Sequence, residues 1–492
     1  SNMFKGCYEF NQPISLPVNV INMSRMFMDC HKFNQSIDIP NNTPYTGIGS
    51  PLYDYYHSSG GDCCEMFHNC YNFNSTVNIG RNISNCGGMF ANCYNLNSPI
   101  LINNDYYMDN CLAMFANCYS FNQPITLPHY ILNADGMFAN CTSLNMAVNN
   151  SSGGISAAKC NSMFVGCTNF NQSLVVTSYN YTSMFAGCTK LNSPITFRGS
   201  TYNGYAIFHN CLSFNQSVAV SLSGLDVSYI FCNCYNLNSS VSITGSVRNM
   251  NSAFANCENF NYPVSDTILS STSIYDMTNA FRRCLSLNQP IGISFNNQTY
   301  VSAFQAFQYC TALNQPISIS NVTFSNANSM FYGCSSLTSK INLNNIGGNV
   351  LQMFRGTNIV GDINISVRST LNAAEMFSKS TNLNADVRIS SLNSNSYLIF
   401  NSAFANCPNL DSNVVIDNNF QRVLLRATFS NCVNFNHPFT VPSNCTAVTS
   451  LFYNCRNMTS TVSLPEKFNN GTTGNFWRNC PVSVENGTLI FY

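Results

Sequence analysis

Met3-Phe4-Lys5-Gly6-Cys7-Tyr8-Glu9-Phe10-Asn11-Gln12-Pro13-Ile14 stands near the start of the chain and returns throughout it. It reappears as Met26-Phe27-Met28-Asp29-Cys30-His31-Lys32-Phe33-Asn34-Gln35-Ser36-Ile37, as Met114-Phe115-Ala116-Asn117-Cys118-Tyr119-Ser120-Phe121-Asn122-Gln123-Pro124-Ile125, and as Ala306-Phe307-Gln308-Tyr309-Cys310-Thr311-Ala312-Leu313-Asn314-Gln315-Pro316-Ile317. The commonest interval is 23 residues, the 4-to-27 spacing. Self-similarity at such a period marks a solenoid, in which each unit buries its apolar face only against its neighbours.

Aligned on the second position, the copies place Phe4, Phe27, Phe67, Phe90, Phe115 and Phe138 in one column, which continues through Phe164, Phe185 and Phe208 to Phe476. Within a copy, Phe, Cys and Leu or Phe lie at i, i+3 and i+6, one face of a short helical or 3₁₀ turn. Asn-x-Pro/Ser and an alternating run follow, as in Ile37-Asp38-Ile39 and Ile125-Thr126-Leu127. Period two with β-branched residues predicts a short strand with one buried face. The expected fold is therefore a leucine-rich-repeat-like solenoid of about twenty coils, strands on one side and short helical turns on the other. Residues 1–480 form the solenoid, with an insert at 40–62. Residues 481–492 read as a C-terminal hairpin cap turning at Asn486-Gly487.

The units resemble the BspA-like leucine-rich-repeat family, whose repeats read Ala/Met-Phe-x-x-Cys-x-x-Leu followed by x-x-Ile-x-Ile. Ala253-Phe254-Ala255-Asn256-Cys257 and Ala403-Phe404-Ala405-Asn406-Cys407 fit closely, and the resemblance spans nearly the whole chain. It implies a non-catalytic protein of a cell surface, engaged in adhesion to host proteins or other cells. Heavy Asn usage and low charge depart from the family pattern and leave the mode of display open between cell and virion.

Charged residues are 8% of the chain, with 20 basic and 20 acidic side chains. Such a balance provides no field for nucleic acid or an anionic membrane. No apolar run approaches the roughly 18 residues of a membrane span, and no leader is recognisable.

Eighteen of the 25 cysteines, among them Cys7, Cys30 and Cys70, share one inward position, replaced by Thr357 and Ser380 in two copies. A slot that accepts these substitutes reads as one that needs a small residue, filled by reduced thiols. The off-register cysteines Cys63, Cys64, Cys86, Cys111, Cys160, Cys232 and Cys445 read as incidental loop residues. Cys63 and Cys64 near His57 and His68 fit no zinc spacing, so neither metal nor cofactor is expected. The Asn after the Leu/Phe position, as at Asn11, Asn34 and Asn74, predicts an amide ladder that bonds backbone groups at the turns. Six scattered histidines share no repeated acid partner, so no enzyme is expected.

Outward strand positions such as Ser15, Asp38 and Thr126 are polar and lack the Trp, Tyr and Arg anchors of interfaces. Ligand contacts are therefore expected on the insert, at Tyr45, Tyr53, Tyr55, Tyr56 and His57, against the alternative of an inert loop. Tyr8, Tyr71, Tyr94, Tyr119 and Tyr235 follow the column cysteine, where packing between coils explains them. The repeat begins at Met3 without a polar cap, so an open first coil is expected, covered by a preceding segment or by another subunit. Two functions follow: a surface recognition protein whose solenoid presents loops to an extracellular protein or glycan, or a structural component of a virion, fibre or larger assembly.

Overall fold

The computed structural model describes residues 1–18, 20–41, 60–103, 107–263, 274–469, 476–483 and 487–492. The chain forms two compact units, residues 1–245 and 246–492. Every strand pairing in each unit is parallel between successive coils, the topology of a repeat solenoid.

In the first unit the Ile-x-Ile segments pair as expected: Ile37–Ile39 with Val77–Ile79, and Val77–Ile79 with Ile100–Ile102. A second row of strands, absent from the expectation, runs through Gly61–Asp62, Ile83–Asn85, Tyr107–Asn110, Tyr130–Asn133 and Ile155–Lys159. In the second unit the two rows merge into the long strands Ile291–Ser302, Ile317–Asn326, Ile341–Asn349 and Ile363–Asn372. Along Ile317–Asn326 the core face is kept by Ile317 and Ile319 and, after a left-handed Asn321 (φ 59°) shifts the alternation by one, by Val322 and Phe324.

The Phe segments differ from the expected helical turns. Among the described residues the sole regular helical piece is a 3₁₀ turn at Glu466–Phe468. Ala113 and Asn117, two residues either side of Phe115, have φ of 52° and 60°. The same two places are left-handed around Phe67, Phe281 and Phe404. These residues rotate alternate amides out of the coil. Ala113, Phe115 and Asn117 donate N–H groups to Asp135, Met137 and Ala139 of the next coil at 2.9, 2.8 and 2.7 Å, while Met114, Ala116 and Cys118 close i→i−3 turns at 3.1, 3.0 and 3.1 Å. Every N–H from Ala113 to Cys118 thus has a partner, half of them in the neighbouring coil. A helix this short would have left its first four N–H groups without a partner in the coil.

Inside, the rings form a continuous column. Phe27–Phe67, Phe67–Phe90, Phe90–Phe115 and Phe115–Phe138 stack at 5.5, 5.3, 5.3 and 5.3 Å. Phe27 meets Phe67 directly, so the insert leaves the column uninterrupted. In the first coil Phe4 is half-buried, Cys7 exposed, and Phe4 stacks on Phe27 at 5.5 Å.

The column ends differently from its sequence alignment. Phe452 N–H donates to Phe476 O at 3.0 Å, the bond other coils make to the residue before the ring, and Cys480 N–H closes a turn onto Trp477 O at 2.9 Å. Trp477 therefore takes the Phe slot and Phe476 the Met slot. Across the C-terminal turn Leu489 N–H donates to Ser483 O at 3.0 Å. The chain turns at Gly487 (φ 73°), but Leu489–Phe491 pairs in parallel with Val462–Leu464. A free edge of the preceding coil is a better partner for these three residues than a short antiparallel arm.

Candidate recognition surface

Columns of equivalent residues, counted from the ring, define what each coil buries and what it displays. Three positions after the ring, the thiol does more than fill space. Cys118, Cys141 and Cys334 direct Sγ at the carbonyl of the preceding coil's ring residue, Phe90, Phe115 and Phe307, at 3.1, 3.1 and 3.2 Å. The substitutes keep a donor: Thr357 Oγ1 bonds Phe354 O at 2.7 Å and Ser380 Oγ bonds the same oxygen at 3.3 Å. The slot selects a small residue that can also donate. Burial pushes the Cys30 thiol to about 11 and the Cys334 and Cys407 thiols to about 12. All 25 cysteines are free.

Four positions before the ring lies a second inward column, Met23, Cys63, Cys86, Cys111, Ala134 and Cys160, each fully buried. Most of the off-register cysteines are thus core residues, a correction to their reading as loop residues. Cys445 is buried in a strand, Cys232 is buried beside its ring residue, and Cys64 is half-buried. Contact with Cys86 and burial hold the Cys63 thiol well above its usual pKa. No group of three or more His, Cys, Asp or Glu among the described residues is arranged to hold a metal ion.

Amides fill three columns. After the strand-side turn, Asn11 Oδ1 accepts the Asn34 N–H at 2.9 Å, Asn34 accepts that of Asn74 at 2.7 Å, and Asn74 that of Asn97 at 2.7 Å. Two residues after the ring, where φ is positive, Asn69, Asn92, Asn117 and Asn140 chain through their side chains, Nδ2 to Oδ1, at 2.8, 2.8 and 2.9 Å. Asn is suited to both tasks, since it tolerates the left-handed region and carries a donor and an acceptor. Five residues before the ring, Asn85, Asn110, Asp226 and Asp276 accept the N–H two residues on, forming Asx turns. Little amide capacity on these rims is left for a ligand.

Two surface columns break the monotony. Tyr8, His31, Tyr71, Tyr94 and Tyr119 stack edge-outward along the first unit at 4.8, 4.5, 4.9 and 5.1 Å. One place after the ring, five successive coils of the first unit carry small residues, Ala91, Ala116, Ala139, Val165 and Ala186, between Lys5, Met28 and His68 before them and His209 after. In the second unit that column reads Ala255, then Arg282, Gln308, Tyr332, Arg355 and Ser378, then Ala405 and Ser430. Arg282 Nε donates to Gln308 Oε1 at 3.0 Å, and Arg283 pairs with Glu258 at 3.5 Å. Tyr309 meets Tyr332 edge to face at 5.5 Å, and the Arg355 guanidinium lies 5.9 Å from the Tyr332 ring centre. Arg355 Nη1 reaches Glu375 Oε2 at 3.0 Å, and Gln352 steadies the same oxygen at 2.8 Å. Partial desolvation and the Tyr332 hydroxyl push the Tyr309 pKa up, against the pull of Arg282 and Arg283. Gly333 makes room for this: a Cβ there would lie 2.6 Å from the Tyr309 ring.

The histidines are dispersed over this frame. His129 lies 3.5 Å from Ser152 Oγ and His437 3.7 Å from Asp411, and the two pairs share no member. The insert residues Tyr45, Tyr53, Tyr55, Tyr56 and His57 lie outside the described residues. Arg and Tyr anchors, sought on the strand face, stand instead on the turn face of the second unit. Aligning the place after each ring brings Arg282, Gln308, Tyr332 and Arg355 together on successive coils, with Tyr309 one place further on.

The family described as "Mycoplasma protein of unknown function, DUF285" matches residues 1–48, 48–151, 132–243, 225–345 and 348–465. The chain belongs to this family, and the match falls on the same repeats that carry the BspA-like resemblance. Among solved structures it is similar to a leucine-rich repeat protein from Bacteroides ovatus, at 15% identity over 92% of each chain with a TM-score of 0.36. It is also similar to a leucine rich cell surface protein from Faecalibacterium prausnitzii, at 13% identity over 80% of this chain and 83% of that one, TM-score 0.24. No curated protein matches the sequence.

Proposed function

We propose that the chain is a non-enzymatic recognition protein of a cell surface, with the solenoid as scaffold and the turn face of its second unit as the contact surface for an extracellular protein or glycan. The observation that carries this is the cluster of Arg282, Tyr309, Tyr332 and Arg355 on successive coils, with Tyr309 edge to face on Tyr332 at 5.5 Å and the Arg355 guanidinium 5.9 Å from the Tyr332 ring centre. Arg and Tyr dominate interface energetics because they combine wide contact area with directed hydrogen bonds. Low charge and an amide-rich surface suit an extracellular setting. The Tyr-rich insert 40–62 is a second contact region under the same reading, and deleting 41–61 would weaken binding without changing the fold.

Screening the whole chain against arrayed glycans and extracellular matrix proteins tests the reading. Binding that falls sharply in a Tyr309→Ala/Tyr332→Ala variant of unchanged circular dichroism is expected. A ligand whose affinity ignores both this variant and the insert deletion would contradict it.

A further inference from the structure

Ser178-Tyr179-Asn180 and Thr201-Tyr202-Asn203 occupy the same place on adjacent coils of the first unit, joined by Tyr202 N–H to Tyr179 O at 3.1 Å. Each is a tight turn closed by the hydroxyl ahead of the Tyr: Ser178 Oγ accepts the Asn180 N–H at 3.2 Å, and Thr201 Oγ1 accepts that of Asn203 at 3.3 Å. Ser178 and Thr201 are buried, so the Tyr at each apex is turned outward. Tyr94 and Tyr119, whose faces are taken up by their own stack, are 37% and 43% exposed. Tyr179 and Tyr202, which stack on no ring among the described residues, are 69% and 72% exposed. Their faces are open. Beside them the Asn180 side-chain amide and Asn203 Nδ2 reach solvent and have no hydrogen bond among the described residues. Asn203 Oδ1 accepts the Tyr205 N–H at 2.8 Å, which fixes how that amide is presented.

The neighbouring coils extend this into a stripe. Six positions before the ring, the column of the two tyrosines also holds the exposed Leu132 and Leu225, with Ala158 between Leu132 and Tyr179 and with Asp109 bounding the stripe. Residues 175–183 carry no charge and residues 198–206 carry one, Arg198, so a charged chain finds little attraction here. A stripe one side chain wide is too narrow for a folded protein, which engages roughly 20–30 residues a side. An extended peptide presents same-side groups every ~6.6 Å. It slips out of step with coils whose rings repeat at 5.6 and 5.7 Å from Phe164 to Phe185 to Phe208, and the N–H groups of Asn180, Tyr202 and Asn203 that it would bond are already taken. A pyranose unit of a linear sugar chain is close to one coil step long. Its C–H faces lie on open phenol rings, and its hydroxyls both donate and accept, as side-chain amides do.

We propose that Tyr179 and Tyr202, with the amides of Asn180 and Asn203, form a site for an uncharged oligosaccharide whose adjacent sugars lie on adjacent coils. The site belongs to the first unit and is separate from the turn face of the second, so each reading can fail without the other.

Calorimetry of the whole chain with linear hexasaccharides of glucose, xylose and mannose, with a hexagalacturonate and with a proline-rich peptide tests it. At least one of the uncharged hexasaccharides binds, and the hexagalacturonate and the peptide bind about tenfold more weakly or not at all. Tyr202→Ala, at an exposed position that leaves the circular dichroism unchanged, weakens hexasaccharide binding about tenfold. Tyr202→Phe, which keeps the ring, changes it by less than about twofold. Asn180→Ala weakens it roughly fivefold, and Tyr94→Ala, in the column whose faces are already stacked, leaves it unchanged. Failure of every uncharged hexasaccharide to bind, tightest binding by the hexagalacturonate or the peptide, or binding indifferent to Tyr202→Ala would overturn the proposal. Hexasaccharide binding that is lost in Tyr309→Ala/Tyr332→Ala and kept in Tyr202→Ala would overturn it too, yet support the recognition reading above.

Discussion

The two units share an interior and differ outside. Phe115–Phe138 in the first and Phe331–Phe354 in the second stack at 5.3 and 5.2 Å, and both are flanked by thiols bonded to ring-residue carbonyls. One place after the ring, the middle coils of the first unit carry Ala91, Ala116 and Ala139, whereas those of the second carry Arg282, Tyr332 and Arg355. What repeats is dictated by coil packing, and what varies is free of it. Function in such a solenoid is therefore to be sought in columns that change character along the axis, not in the columns that define the repeat.

The strongest challenge to a shared interior is removal of a ring. Phe115→Ala and Phe331→Ala should each cost about 3–5 kcal/mol in urea denaturation, since both rings are fully buried. A loss below about 1 kcal/mol in one unit alone would break the equivalence.

Alkali separates the units next. Thiol pKa values are raised in the folded state, so folding is favoured fully below the unfolded thiol pKa near 8.5 and loses that support as pH climbs towards the folded values. Those values are about 11 for Cys30 and about 12 for Cys334 and Cys407. Thermal melts should thus be flat up to about pH 8 and fall steeply above pH 9. Thr357 and Ser380 interrupt the thiol column of the second unit, so proteolysis at pH 10 should open the first unit earlier. In the native protein near pH 8, a thiol reagent should reach only Cys7, Cys64 and Cys480, which are exposed or half-buried.

Amide rims predict a smaller effect. Asn74→Ala strands the Asn97 N–H while the Ser98 hydroxyl keeps its 2.7 Å bond to Asn74 O, and should cost about 1 kcal/mol. Smallest is Tyr94→Ala, which removes an exposed ring from the stack and should cost roughly 0.5 kcal/mol. Loss of much more would show that the tyrosines hold the first unit together rather than decorate it.

The repeat, its ring column and the Ile-x-Ile strands were legible because period two and a fixed 23-residue spacing are read along one chain. The helical turn was not, because i, i+3, i+6 spacing is shared by a helix and by a turn broken at two left-handed residues. The signal was present in the Asn, Gly or Ser two places from most rings, residues that favour positive φ or turns, and absent around Phe307 and Phe377, where Gln305, Tyr309, Glu375 and Lys379 take those places. Cys86 and Cys111 looked incidental since their column alternates with Met, Ala and Tyr. Trp477 was misaligned because Phe476 precedes it, and only hydrogen-bond register separates the two. The meeting of Arg355 with Tyr332 and Glu375 was invisible along the sequence, since they stand 23 and 20 residues from it and come together only on stacking.

Backbone hydrogen exchange tests the shared interior most directly. Amides of Ala113, Phe115 and Asn117 in the first unit, and of Ser329, Phe331 and Gly333 in the second, donate to the next coil. They should exchange as slowly as strand amides at Ile317–Asn326. Exchange of either set at the rate of exposed turns would contradict the account.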